Sequence, residues 1–141
     1  MVKFFGTYKR VLDEKGRLLI PAKLFHEGCK RYFVLRGFEG CLSVYEEEDF
    51  DALMEKLASL DYLDPDARKT IRLAAASVVE LPVDIHGRVL LGKDILRDYA
   101  IGHDVTLIGV LDHFEIWDST AYARYDLEAG MRYGQKGNKA V

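Results

Sequence analysis

The chain has 141 residues, 49% of them apolar, and a formal net charge of −3. That length can bury one real core while either half alone is marginal, so one compact unit built from both halves is expected. No apolar run approaches a membrane span, Met1–Gly6 is too short and too soon charged for a secretory signal, and Cys29 and Cys41 lack nearby ligand-like histidines, so they read as buried reduced thiols of a cytosolic protein.

Charge is spread unevenly. Residues 1–37 carry nine Lys or Arg against three acids, and residues 38–66 carry one against ten. The later segments are near balance, six against four over 67–103 and four against six over 104–141. A basic first third inside an acidic whole suggests one face for an anionic partner and another that repels it. A solvated surface without a partner accounts for the charge alone equally well.

Residues 4–12 are aromatic and β-branched with partial alternation, and read as a strand. Glu14-Lys15-Gly16 supplies a tight turn, with Gly16 taking positive φ, and Arg17-Leu18-Leu19-Ile20 resumes as a second strand. Pro21 ends that strand and suits the start of a short helix, Ala22 to Glu27, closed by Gly28. Tyr32–Leu35 and Cys41–Tyr45 form a hairpin across Gly37-Phe38-Glu39-Gly40. Glu46 to Asp49 place negative charge at a helix N-terminus. Phe50, Leu53, Met54, Leu57 and Leu60 then share one helical face, a core stripe rather than a groove. Asp64 caps a further helix, Pro65 to Ala76, which leads to the second half without a flexible hinge. A final helix begins near Ser119 and carries Tyr122 and Tyr125. The expected units are a first repeat with its helix over 3–62, a linking helix over 63–78, a second repeat with its helix over 79–133, and a frayed tail over 134–141.

A thirteen-residue pattern, Asp13 to Phe25, returns as Asp84 to Leu96. Asp, Gly and Arg recur at identical offsets, with the same apolar run after the Arg. Cys41–Tyr45 then aligns with His113–Trp117, and Phe50 and Leu53 with Tyr122 and Tyr125. Val34–Gly37 matches Val105–Gly109 if the second copy carries one extra residue. A period near seventy is too long for solenoid units, so the chain reads as a duplicated small domain packed on itself. Each half is strand, strand, short helix, strand, strand.

The turns carry the candidate chemistry. Arg17 follows its turn directly, so its guanidinium can project past the sheet edge and bond bidentately to phosphate or a guanine edge. Lys15 shares the turn, and Lys9, Arg10 and Lys23 can supply phosphate contacts. Asp13 has the wrong sign for phosphate and reads as holding the turn or orienting Arg17, with Gly16 supporting it. The second copy, Asp84-Ile85-His86-Gly87-Arg88, has His86 for Lys15 and Gly92 for Pro21, and no basic residue over Val79–Val83. Arg88 therefore reads as part of a weaker DNA face, or of a surface for neighbouring subunits, and the helix after it as weakened at its start. Asp84 and Gly87 repeat the turn-supporting roles.

Phe5-Gly6-Thr7-Tyr8 followed by Leu12 through Lys23 resembles the N-terminal signature of the MraZ family. Arg36–Leu42, Asp64–Arg68 and Phe114–Trp117 resemble its later segments, in order, from about residue 4 to 125. One such motif would indicate only the broader AbrB-type group, whereas two copies with helices between them are specific. The resemblance implies an α+β, mostly β fold, with two AbrB-like swapped-hairpin repeats forming one pseudo-two-fold β-barrel unit and helices packed outside. It implies a cytoplasmic, nucleoid-associated transcriptional regulator, usually a repressor, of the bacterial division and cell-wall gene cluster. Such a protein binds short direct repeats in promoter double-stranded DNA and assembles with itself into rings. The family motif Asp-x-x-x-Arg falls on Asp13 with Arg17 and on Asp84 with Arg88.

Catalysis lacks a signature. His26, His86, His103 and His113 are scattered, and neither a nucleophile with its base, a phosphate-binding Gly-rich loop nor a metal-ligand spacing accompanies them. No enzyme activity, cofactor, metal or small-molecule substrate is expected. Two rival readings stand beside the regulator. One is a generic AbrB-type regulator or antitoxin, which the duplication speaks against. The other is an assembly protein whose basic turns bind an acidic protein partner.

Overall fold

The computed structural model describes residues 3–140, with side chains through Gln135. Along the chain come β1 (Thr7–Val11), β2 (Arg17–Leu19), a 3-10 turn (Ala22–Leu24), β3 (Arg31–Arg36), β4 (Leu42–Tyr45), α1 (Glu47–Ala58) and α2 (Pro65–Ala76). The second half repeats the order with β5 (Val79–Pro82), β6 (Arg88–Leu90), α3 (Gly92–Asp98), β7 (Asp104–Gly109), β8 (Phe114–Asp118) and α4 (Ser119–Ala140).

Pairing between strands crosses from half to half. β1 pairs with β7, β2 with β6, β3 with β5 and β4 with β8, all antiparallel, and only the β3–β4 and β7–β8 hairpins are local. Exchanging the halves maps β1–β7 onto β5–β3 and returns β2–β6 and β4–β8 onto themselves. That is an internal pseudo-two-fold in the ladder. It makes Val34 the counterpart of Leu107, since each faces the same place on its partner strand, so the β3–β7 match is shifted from the one read by similarity. The ladders do not close into the expected barrel. β1 and β5 end an open six-stranded sheet, β1-β7-β8-β4-β3-β5, and β2–β6 is a separate ribbon tied to it by the bridge Val83–Val89.

One face of the sheet and the inner face of the ribbon enclose the core. Leu18 and Val89 from the ribbon join Tyr32, Val34, Leu107 and Phe114 in a single buried cluster. The Tyr32 and Phe114 rings meet edge-on at 5.4 Å, and the Tyr32 hydroxyl donates to the Leu24 carbonyl at 3.2 Å. Helices α1, α2 and α4 cover the other side. Phe50 of α1 stacks on Phe33 at 4.4 Å, and Tyr122 and Tyr125 of α4 pack against Trp117 at 5.2 and 4.9 Å. Asp64 caps α2 by accepting from the Ala67 N–H at 3.3 Å, with Pro65 in the first turn, as its sequence pattern requires.

Two local expectations differ. The helix expected over Ala22 to Glu27 is a single 3-10 turn, because Phe25 is extended (φ −109, ψ 108) and packs against the core. Gly92 does not weaken its helix. It takes φ 82, which glycine tolerates, and α3 runs seven residues against three in the first-copy turn. α4 runs as far as Ala140, and Val141 lies outside the described residues.

A candidate nucleic-acid interface on the two-stranded ribbon

Each five-residue Asp-to-Arg segment folds around its own carboxylate. The Asp13 N–H donates to the Arg17 carbonyl at 3.1 Å and the Gly16 N–H to the Asp13 carbonyl at 3.0 Å. Asp13 Oδ1 accepts the N–H groups of Lys15 and Arg17, both at 2.9 Å, and Oδ2 accepts Arg17 Nε at 2.6 Å. The second turn repeats every bond. Asp84 Oδ1 accepts His86 and Arg88 N–H at 2.8 and 2.9 Å, and Oδ2 accepts Arg88 Nε at 2.9 Å. Gly16 and Gly87 close the turns at φ 77 and 78, values that a side chain would strain.

Electrostatics follow from those bonds. Both carboxyls are held below the ordinary carboxylate value, first by the arginine backbone N–H and then by the other turn donors and the guanidinium itself. The carboxylates thus stay charged and keep each guanidinium tethered at Nε. Among the described residues neither arginine uses its Nη nitrogens on a protein group, which leaves the outer fork of each without a protein acceptor.

The turns interlock. Leu91 N–H donates to the Gly16 carbonyl at 3.0 Å and Ile20 N–H to the Gly87 carbonyl at 3.1 Å, so each turn is pinned by the strand that follows the other. Between them lies the ladder Arg17↔Leu90, Leu18↔Val89, Leu19↔Arg88. Alternation buries Leu18 and Val89 and sends the other four side chains outward. Arg17 and Arg88 are therefore diagonal cross-strand neighbours on one face, a relation that sets them about 7–8 Å apart. They are equally accessible, at 30% and 28%. The sequence reads the second turn as a weaker DNA face or a surface for neighbouring subunits, and the fold sets its arginine on the same ribbon face as Arg17.

The remaining candidates spread away from this face. Lys15 is exposed at its turn and Lys23 on the 3-10 turn after β2. Lys9 and Arg10 lie along β1, lining a groove of about 700 Å³ between β1 and the first turns of α4. The charge asymmetry partly cancels within the fold. Lys3 reaches Asp49 at 2.9 Å and Glu46 at 3.6 Å, and Arg31 bonds both Glu47 and Glu80. Two basic residues of the first third are thus occupied by the acidic start of α1 and by β5.

Two residues with a claim on this face escape a reading by charge. Leu19 and Leu90 stand beside the arginines, each 54% exposed. The strand geometry expected over Arg17 to Ile20 is the signal that could have found Leu19, since it sets residues 17 and 19 on one side. Among the described residues no group of His, Cys, Asp and Glu could hold a metal. No helix described is long and apolar enough to cross a membrane.

Comparison with known proteins fits this duplicated architecture. The family described as "MraZ protein, putative antitoxin-like" matches twice in tandem, over residues 4–73 and 74–136. The chain belongs to the MraZ family. It is 40% identical over 138 residues to the transcriptional regulator MraZ of Rhodococcus jostii, covering 98% of this chain and 96% of that one. It is 38% identical over 130 residues to the protein of the same name from Acetivibrio thermocellus, covering 91% and 90%. The namesake from Limosilactobacillus fermentum is 35% identical over 132 residues, covering 94% and 92%. These relatives carry the name of a regulator, not of an enzyme.

Proposed function

We propose that the chain is a sequence-specific DNA-binding transcriptional regulator, and that the β2–β6 ribbon with its two Asp-Arg turns is the DNA face. The observation that carries this reading is the paired tether. Two guanidiniums on one exposed face are each fixed at Nε by a charged carboxylate, with the Nη forks free among the described residues. Such forks match the O6 and N7 acceptors of guanine or a phosphate. A two-stranded antiparallel ribbon also fits the major groove, which is about 12 Å wide. Lys15 supplies a phosphate contact beside Arg17, and Lys9, Arg10 and Lys23 supply further ones as the duplex passes the ribbon.

The finer reading is a repressor of the division and cell-wall gene cluster that binds short direct repeats as a ring-like homo-oligomer, cytoplasmic and nucleoid-associated. One ribbon offers few phosphate contacts, and several copies on consecutive repeats raise the effective concentration of each. The fold reads as two AbrB-like swapped-hairpin repeats, supported by the four ladders that join opposite halves.

The deciding experiment is a footprint and gel shift on the DNA upstream of the protein's own gene cluster, against a scrambled duplex. Protection of regularly spaced short repeats is expected. Equal, weak binding to both duplexes overturns the reading and favours an acidic protein partner.

A further inference from the structure

We propose that Leu19 and Leu90 are specificity residues that read thymine methyl groups in the DNA major groove. The inference rests on the DNA reading above. Outward positions of an exposed two-stranded ribbon are ordinarily polar, since nothing covers them. Here both repeats carry leucine at the same outward place, each 54% exposed. Their inward neighbours Leu18 and Val89 fill the core, and the two exposed leucines stand outside its cluster.

The arrangement of the four outward groups gives them a purpose. Arg17 faces Leu90, and Leu19 faces Arg88, so charged and apolar groups alternate around the ribbon. Directly opposed side chains sit about 5 Å apart and the diagonals about 7–8 Å. Three residues per strand span about 10 Å, less than the width of the major groove. Guanidiniums that reach base edges draw the ribbon into the major groove and bring the leucines of the same face toward the base edges. The apolar feature a base pair shows there is the C5 methyl of thymine, which apolar side chains recognise by contact. Ile85, 95% exposed at the second turn, extends the apolar surface at that end, where the first turn has Glu14.

The test compares upstream duplex containing thymine with the same duplex containing deoxyuridine, which keeps every base pair and removes only the methyls. It is run on the intact protein and on Leu19→Ala, Leu90→Ala and the double variant, with circular dichroism and light scattering on each. Loss of one contacted methyl should weaken the intact protein about fourfold, the value of one buried methyl-sized group. The double variant should bind thymine duplex more weakly and no longer distinguish the two. Intact protein indifferent to uridine, or a double variant that discriminates as well as the intact chain, overturns the assignment while leaving the DNA reading in place. A change of oligomeric mass in either leucine variant overturns it in favour of a subunit contact. Failure of the intact protein to bind either duplex overturns both.

Discussion

Removing the two ribbon arginines one at a time and together tests whether the turns form a single face. Each arginine has the same tether and nearly the same exposure, 30% for Arg17 and 28% for Arg88, so the two truncations should cost similar amounts. A lost bidentate base contact costs about 1–3 kcal/mol, roughly ten- to a hundredfold in affinity. At a diagonal separation of about 7–8 Å, two contacts to different bases are near the limit where effects add. Arg17→Ala with Arg88→Ala should therefore lose about 2–6 kcal/mol. Both side chains are partly exposed and outside the core cluster, so the fold should survive. The assay is an anisotropy titration of upstream and scrambled duplexes at two salt concentrations. Lys15→Ala should instead weaken both duplexes alike and lower the salt slope by about one. If Arg17→Ala abolishes specific binding while Arg88→Ala leaves it intact in a folded, assembled protein, the shared face is wrong and the second turn has another use.

Three further outcomes follow from the fold. Gly109→Ala would put its Cβ 2.2 to 2.6 Å from backbone atoms of Phe5, which no rotamer change relieves, and overpacking of about 3 kcal/mol should lower the melting temperature by about 10 °C; an unchanged transition would refute that close approach. A fragment of residues 1–62 should be unfolded or aggregated, because β1 and β2 have their ladder partners in the missing half; sharp, dispersed amide signals from a monomer would contradict this. Asp13 and Asp84 have depressed carboxyl values in the fold, so their stabilisation is complete above about pH 4, the unfolded value, and is lost as pH falls through the lower folded values. Acid titration of Asp13→Asn with Asp84→Asn, followed by circular dichroism, should show a shallower loss of stability below pH 4 than the intact chain; equal slopes would remove the turns from the acid response.

Local features were legible wherever a short pattern decides them. The Asp64 cap with Pro65, the hairpin across Gly37 to Gly40, the acidic start of α1 and the onset of α4 at Ser119 all appear where their residues demand. The roles of Asp13 and Asp84 in holding their turns were legible too, because a carboxylate two and four residues before backbone donors has few other partners. Nonlocal pairing was not. β2 meets β6 across about seventy residues, and neither strand carries a mark that names its partner. Without that pairing, Arg17 and Arg88 look like separate sites, and Leu19 and Leu90 look like core. Counting charge overlooks pairing for a related reason. Lys3 and Arg31 add to the basic total of the first third, yet the fold spends both on α1 and β5 acids.

Carrying both turns on one chain has a consequence that a dimer of identical halves would lack. The backbone of the ribbon keeps the pseudo-two-fold, down to the reciprocal bonds from Leu91 to Gly16 and from Ile20 to Gly87. Its exposed tips do not, since Glu14 and Lys15 at one end stand opposite Ile85 and His86 at the other. A two-fold reader selects palindromic sites, because operator symmetry mirrors the symmetry of the protein. A ribbon whose two tips differ has a direction, so on the DNA reading each copy binds in one orientation. Copies arranged head to tail then meet the same sequence repeatedly in the same sense. On the proposed DNA reading, the divergence of the two tips gives each copy the single orientation that direct repeats call for, and the same Asp-Arg bonds hold both turns.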